Sequence, residues 1–148
     1  MKGINIYLSF DGNCKEAFEF YRAVFGGEFI TISPFSEMPP MHGMPPMKEE
    51  LKSRTMHVTL AIRDNIVLQG SDTFPGAGPE YLKGNNFSIS ITPDNLSEAD
   101  ALMAKLSEGG IVTMTMQKTF WNSYFGSCID KYGTSWMINL PLPNENPA

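Results

Sequence analysis

Two stretches of this chain carry the same punctuation at almost the same spacing, and that repetition limits the folds open to it more than any other feature. From Cys14 the apolar residues Cys14, Ala17, Phe18, Tyr21, Val24 and Phe25 recur every three or four positions, which draws one buried stripe along a helix. Asn13 stands before the stripe as an N-cap, Glu16 sits where a capping box needs it, and Gly26-Gly27 supplies a left-handed stop. A second stripe, Ala99, Leu102, Met103 and Leu106, is opened by Asn95 and Glu98 and ended by Gly109-Gly110. The two caps lie 82 residues apart and the two Gly pairs 83. One match of this kind is weak, but several in step indicate an internal repeat.

The flanking segments repeat as well. Strand-like runs at 4–10 and 87–92 precede the helices, and runs at 28–33 and 111–120 follow them. Each half then supplies two more. Residues 54–63 and 66–72 flank Asp64-Asn65, a turn pair that tolerates positive φ, while 123–130 and 135–140 flank Lys131-Tyr132-Gly133-Thr134. The order is β-α-β-β-β, twice. Residues 73–84, with Pro75, Gly76, Gly78, Pro79 and Gly84, read as the connection. A single domain over 1–148 therefore has a first module at about 1–72 and a second at about 85–142.

Charge and cysteine usage exclude several partners. Net charge is −5 and the eleven basic residues are scattered, so no nucleic-acid or anionic-membrane surface is expected. Cys14 and Cys128 fit neither a disulfide framework nor a zinc knuckle, and are read as reduced thiols in a cytoplasmic protein. A strand pattern follows Met1-Lys2 at once, so no secretory leader is expected, and the apolar runs are too short to span a membrane.

The local words carry a family signature. Phe10-Asp11-Gly12-Asn13-Cys14-Lys15-Glu16-Ala17-Phe18-Glu19-Phe20-Tyr21, running on to Val24-Phe25-Gly26-Gly27, is one part of it. Met56-His57 leading a strand, Gly70-Ser71-Asp72 closing one, Phe120-Trp121 ahead of Gly126, and Asp130-Lys131-Tyr132-Gly133 before Trp136-Met137-Ile138-Asn139 are the others. Over nearly its whole length the chain resembles the PhnB-like branch of the vicinal oxygen chelate (glyoxalase/bleomycin-resistance/dioxygenase) superfamily. The resemblance implies an α+β glyoxalase-like fold in which two βαβββ modules form curled, mostly antiparallel sheets around a pocket. It also implies a homodimer.

Metal-dependent members of that superfamily take ligands from the first and last strands of each module. The resemblance puts those slots on Ile6, on or beside Phe87, on Asn139, and on Leu68 or its neighbour Gln69. Ile, Leu and Phe have no donor atoms and a neutral Asn is a poor one, so no metal centre and no cofactor are expected. A second cluster, Met38, Met41, His42, Met44 and Met47 in the loop 37–48, offers soft ligands of the kind Cu(I) takes, and reads equally as a deformable flap.

If the Asp64-Asn65 hairpin pairs residues whose numbers sum to 129, His57 faces Asp72, Thr59 faces Gly70 and Leu60 faces Gln69. His57, Thr59, Ala61, Leu68, Gly70 and Asp72 then share one face. A His57–Asp72 pair suits a general base with its orienting carboxylate, and equally a strand-end bond that pins the register. Trp136 alternates with Ile138 as core, whereas Trp121 at the start of a strand is free to stack on a ligand or partner. No Gly-rich phosphate loop, Ser elbow or Cys–His pair is present. The expectation is a protein binding a small, largely apolar organic molecule against Ile6, Leu68, Gln69, Phe87, Trp121 and Asn139. The alternative is an atypical lyase, isomerase or dioxygenase-type enzyme, metal-independent or metal-dependent, using His57 and Asp72. A dimeric scaffold with a vestigial pocket is the third reading.

Overall fold

Each half of the chain builds a four-stranded mixed sheet with one long helix laid across it, as the repeat requires. The structure, a computed structural model, describes residues 1, 3–40, 42–43 and 45–144. The chain divides into two compact units, Met1–Leu82 and Lys83–Ala148, with the division inside the Pro/Gly-rich connection. Among the described residues no helix is long and apolar enough to cross a membrane.

The first unit runs β1 (Ile6–Phe10), α1 (Cys14–Phe25), β2 (Glu28–Pro34), a short α2 (Glu49–Lys52), β3 (Thr55–Arg63) and β4 (Ile66–Asp72). The sheet order is β1-β4-β3-β2, with β1 parallel to β4 and the other pairs antiparallel. The stripe of α1 is buried from Cys14 to Val24, with Phe25 half-buried at its end, across β3 and β4. Phe18 packs edge-on to Phe10 (6.2 Å) and to Tyr21 (5.6 Å). The approach is close because Gly70 has no side chain: a Cβ there would lie 2.7 Å from the Phe18 ring.

The second unit repeats the plan with β5 (Ile89–Ile91), α3 (Leu96–Leu106), β6 (Ile111–Lys118), β7 (Ser123–Ile129) and β8 (Ser135–Pro141), in the order β5-β8-β7-β6. Its registers match those of the first unit over most of the paired strands, and part on β6 beyond Met114, where one extra residue enters against β7. Ile6 pairs Leu68 where Ile89 pairs Trp136, and Leu60 pairs Leu68 where Cys128 pairs Trp136. The paired glycines that mark the repeat have a common cause. At Gly27 a Cβ would lie 2.1 Å from the Ala61 carbonyl oxygen, and at Gly110 2.2 Å from that of Ile129. In both units the chain leaving the helix passes directly over a strand backbone, and only glycine leaves room.

The helix caps differ between units. In α3 the Glu98 N–H donates to Asn95 Oδ1 at 2.9 Å as expected, while the Glu98 carboxylate reaches back one residue beyond the cap and accepts from the Asp94 N–H. In α1 the Asn13 side chain caps nothing. Asp72, at the end of β4, takes its place: Oδ1 accepts from the N–H of Gly12 (2.8 Å) and of Cys14 (3.0 Å), and Oδ2 from that of Thr55 (2.8 Å). A carboxylate is a stronger acceptor than an amide and favours the positive end of the helix.

Replacing Gly27 by Ala forces a side chain into the Ala61 carbonyl at a left-handed φ of +88°. Chemical denaturation of Gly27→Ala should show a loss of about 2–4 kcal/mol, with the same direction for Gly110→Ala. Unchanged midpoints in both would refute the crossing as a constraint.

Candidate functional site on the first sheet

The Asp64-Asn65 hairpin forms, with Asn65 at φ 63°, but its register is not the one expected. Arg63 pairs Ile66, which sums to 129. An irregularity between Ala61 and Arg63 then shifts every later pair to 128, giving Ala61–Val67, Leu60–Leu68, Thr59–Gln69 and Val58–Gly70. One extra residue in a strand turns all that follow to the other face. Leu68 therefore points at α1 with Leu60 and is 2% exposed, so it lines nothing on the other side. Ile6, opposite Leu68, falls on that same helix-facing side with Leu8 and Phe10.

The face turned away from α1 carries Tyr7 and Ser9 on β1, Gln69 and Ser71 on β4, His57 and Thr59 on β3, and Thr31 and Ser33 on β2. It is polar where an apolar lining was expected. Four of these side chains are linked. Tyr7 Oη lies 3.3 Å from His57 Nδ1, and the rings stack at 5.8 Å with 27° between planes. His57 Nε2 lies 3.0 Å from Thr59 Oγ1, and Gln69 Nε2 donates to the same oxygen at 3.4 Å. Neighbouring strands β1, β4 and β3 thus hold phenol, imidazole, hydroxyl and carboxamide in one row.

His57 and Asp72 do not meet. The shifted register removes the cross-strand pairing, and the Asp72 carboxylate is buried with three backbone donors on it. Asp72 is an anchor between β4, α1 and β3, not the partner of a base. Beside it, Arg54 Nη1 donates to Asp11 Oδ1 (2.8 Å) and to the Thr73 carbonyl (3.1 Å). The bond from Arg54 holds the Asp11 carboxyl below its ordinary range.

At positions corresponding by register to Tyr7, His57, Thr59 and Gln69, the second unit has Ser90, Phe125, Ser127 and Met137. Its face turned away from α3 is correspondingly more apolar. Asn139, opposite Phe125, lies on this face. Phe87 precedes β5 and is exposed. Trp121 sits at the tip of the β6–β7 hairpin, half-exposed and edge-on to Phe125 (5.7 Å) and Phe120 (4.9 Å). Asn122, at φ 60°, holds that tip by donating from Nδ2 to the Leu142 carbonyl at 3.0 Å. Trp136 is core, and its Nε1 donates to Asp130 Oδ2 at 2.8 Å.

The corrected register also redefines the superfamily's ligand slots. The residues turned away from the helices on the strands concerned include Tyr7, Ser9, Gln69 and Ser71, and Ser90, Met137 and Asn139, so of the expected slots only Gln69 and Asn139 keep that side. Phenol, carboxamide, hydroxyl and thioether are neutral donors that do not fit a divalent ion of the kind imidazole and carboxylate hold. Among the described residues no group of three His, Cys, Asp or Glu is placed to hold an ion. In the Met-rich loop, Met41 and Met44 lie outside the described residues.

A family model described as 3-demethylubiquinone-9 3-methyltransferase matches residues 2–139. Protein YjdN of Escherichia coli (strain K12) is 29% identical over 139 residues, 90% of this chain and 92% of that one. Protein PA1353 from Pseudomonas aeruginosa, a crystal structure, is 35% identical with a TM-score of 0.80, over 97% of this chain and 100% of that one. A Bacillus cereus structure described as a putative 3-demethylubiquinone-9 3-methyltransferase, PhnB protein, has a TM-score of 0.71 at 24% identity, covering 94% and 99%. A glyoxylase/bleomycin resistance protein/dioxygenase domain from Frankia sp. EAN1pec has a TM-score of 0.64 at 9% identity, covering 95% and 98%, a likeness of fold alone. The two unclosed sheets with their helices are the α+β, glyoxalase-like arrangement.

Neither thiol is poised for chemistry. Burial, with the Asp72 charge added, pushes Cys14 up to about 12, and burial with Asp130 pushes Cys128 up to about 11. Both should resist alkylation in the folded protein. A raised thiol pKa favours the protonated form in the native state, so the unfolded chain loses its proton first. The Cys14 contribution is thus fully present below about 9 and is lost as pH rises toward 12. Stability measured between those pH values should fall, and Cys14→Ala should flatten the fall. An equally steep decline in the variant would refute the assignment.

Proposed function

The chain belongs to the PhnB-like family described as 3-demethylubiquinone-9 3-methyltransferase, within the glyoxalase/bleomycin-resistance/dioxygenase superfamily, and from that membership we propose that it binds a small organic molecule against the polar face of its first sheet. The observation that carries this reading is the row Tyr7–His57–Thr59–Gln69. Four groups that exchange hydrogen bonds stand on rigid strands, turned away from the core, with no carboxylate in the row. Packing does not need them there, since the helix-facing half of each strand supplies the core. Fixed polar groups on a flat imidazole–phenol stack are the means by which a binding surface orients a ligand.

A second reading is catalysis at the same place. His57 between two hydroxyls is able to accept a proton without Asp72. The description of the family sets a specific competitor, methyl transfer to a 3-demethylubiquinone, which is assayed directly with the purified chain, a methyl donor and that quinone. A cytoplasmic setting is consistent with two free, buried thiols.

A homodimer is part of the proposal. The edge strands β2 and β6 leave apolar side chains in the open, among them Ile30 (68% exposed) and Ile111 (65%), and such edges call for a cover. Light scattering behind size exclusion should give twice the chain mass. Replacing Ile111 by Lys should lower it, and a wild-type chain that stays monomeric at tens of micromolar overturns this part.

For the site itself, a thermal-shift screen of small organic acids, ketones and phenols should yield compounds that raise the melting temperature. His57→Ala should keep the unliganded melting temperature within a few degrees and abolish those shifts, because its ring lies outside the helix-packed core. Undiminished shifts in the variant would move the site elsewhere.

A further inference from the structure

The hydrogen bonds on the first sheet allow the protons to be placed, and their placement says what kind of ligand atom the site takes. Thr59 is 9% exposed, and its hydroxyl has two partners, Gln69 and His57. Gln69 Nε2 donates to the oxygen, so the one hydroxyl proton of Thr59 has His57 Nε2 as its acceptor. A buried hydroxyl left without an acceptor is costly, which sets the direction. Nε2 of the neutral ring then carries no proton, and Nδ1 does. That N–H donates to Tyr7 Oη, 3.3 Å away. The network assigns the tautomer, and every donor in the row points the same way: Gln69 to Thr59, Thr59 to His57, His57 to Tyr7.

The row ends in a half-exposed phenol whose oxygen is engaged as an acceptor and whose own proton has no acceptor among the described residues. Donors that polarise one another in a chain strengthen the last of them. The groups nearest Tyr7 on this face are Ser9, Gln69 and Ser71, all neutral, and Tyr7 and His57 are the titratable groups in the row. We propose that the Tyr7 hydroxyl is the donor of a site for an acceptor-only oxygen, the carbonyl or carboxylate oxygen of a small organic molecule. The inference rests on the binding reading above and narrows it to a ligand class. It also assigns Gln69, Thr59 and His57 as positioning residues that act through Tyr7.

The arrangement is tested on the full chain at a pH of about 8, where an ordinary histidine is neutral. Long-range proton–nitrogen NMR of His57 should show the Nδ1–H tautomer before any ligand is added. Benzoate and acetophenone, an acid and a ketone of similar size, should each move the His57 and Tyr7 ring signals, and their relative affinities separate the two sources of the oxygen. Toluene, with the same ring and no oxygen, is the control. Tyr7→Phe should weaken the oxygen-bearing probes about tenfold and leave toluene unaffected. Thr59→Val, which keeps the shape, should move the tautomer toward Nε2–H and weaken the same two probes. An Nε2–H ring in the wild type overturns the proposal, as does a Tyr7→Phe chain that binds benzoate and acetophenone as tightly as the wild type does. If toluene alone perturbs this face, binding there stands and the donor-headed site falls. If no probe perturbs it, both fall.

Discussion

One buried carboxylate ties the first unit together. Asp72 closes β4, and with its two oxygens it holds the start of α1 and the start of β3, segments 58 and 17 residues away. Removing it would leave three backbone N–H groups facing a cavity that water reaches poorly, a penalty borne where helix and sheet join. The rest of the unit is positioned from that join. The stripe of α1 meets Leu8, Val58, Leu60 and Leu68 because its first turn is fixed there, and the opposite faces of the same strands present Tyr7, His57, Thr59 and Gln69 in consequence. The acid that resembles half of a catalytic pair in the sequence is thus an element of construction.

The second unit solves the same joining problem differently. It caps α3 locally with Asn95 and Glu98, and it uses Asp130 inside the β7–β8 turn to bind the Tyr132 and Thr134 N–H groups and the Trp136 indole. Both units share strand order, most of their register and a glycine crossing, while the polar side chains that fasten them have diverged. The repeat is preserved in the backbone and in the apolar contacts, where volume is constrained, more than in the hydrogen bonds that finish each corner.

What was legible in the sequence follows from this division. Helices, strands and the double βαβββ order were readable because they rest on periodicity and on glycine, signals carried by many residues at once. Trp136 and Cys14 were readable as core for the same reason. His57 and Gln69 were readable as candidates, but their row with Tyr7 and Thr59 was not, because it turns on a single irregularity between Ala61 and Arg63 that no residue type announces. A turn at Asp64-Asn65 fixes the first pair, and the bulge beyond it exchanges Leu68 for Gln69 on the face turned away from the helix. Tyr7 could have been found from its alternation with Leu8 and Phe10, and Thr59 from its place two residues after His57. Asn13 illustrates the opposite error: a good local cap was displaced by a better acceptor from 59 residues away, which sequence spacing cannot reveal.

The alternation along each strand has an evolutionary consequence. Every second residue answers to the helix above it and is constrained by volume, as Gly70 under Phe18 shows. The residues between them do not meet the helix, and the two copies differ there in opposite directions: imidazole against benzyl at His57 and Phe125, phenol against hydroxymethyl at Tyr7 and Ser90. A scaffold with this separation is able to change the chemistry of one side of the pleat through a few substitutions, while its folding remains the concern of the other.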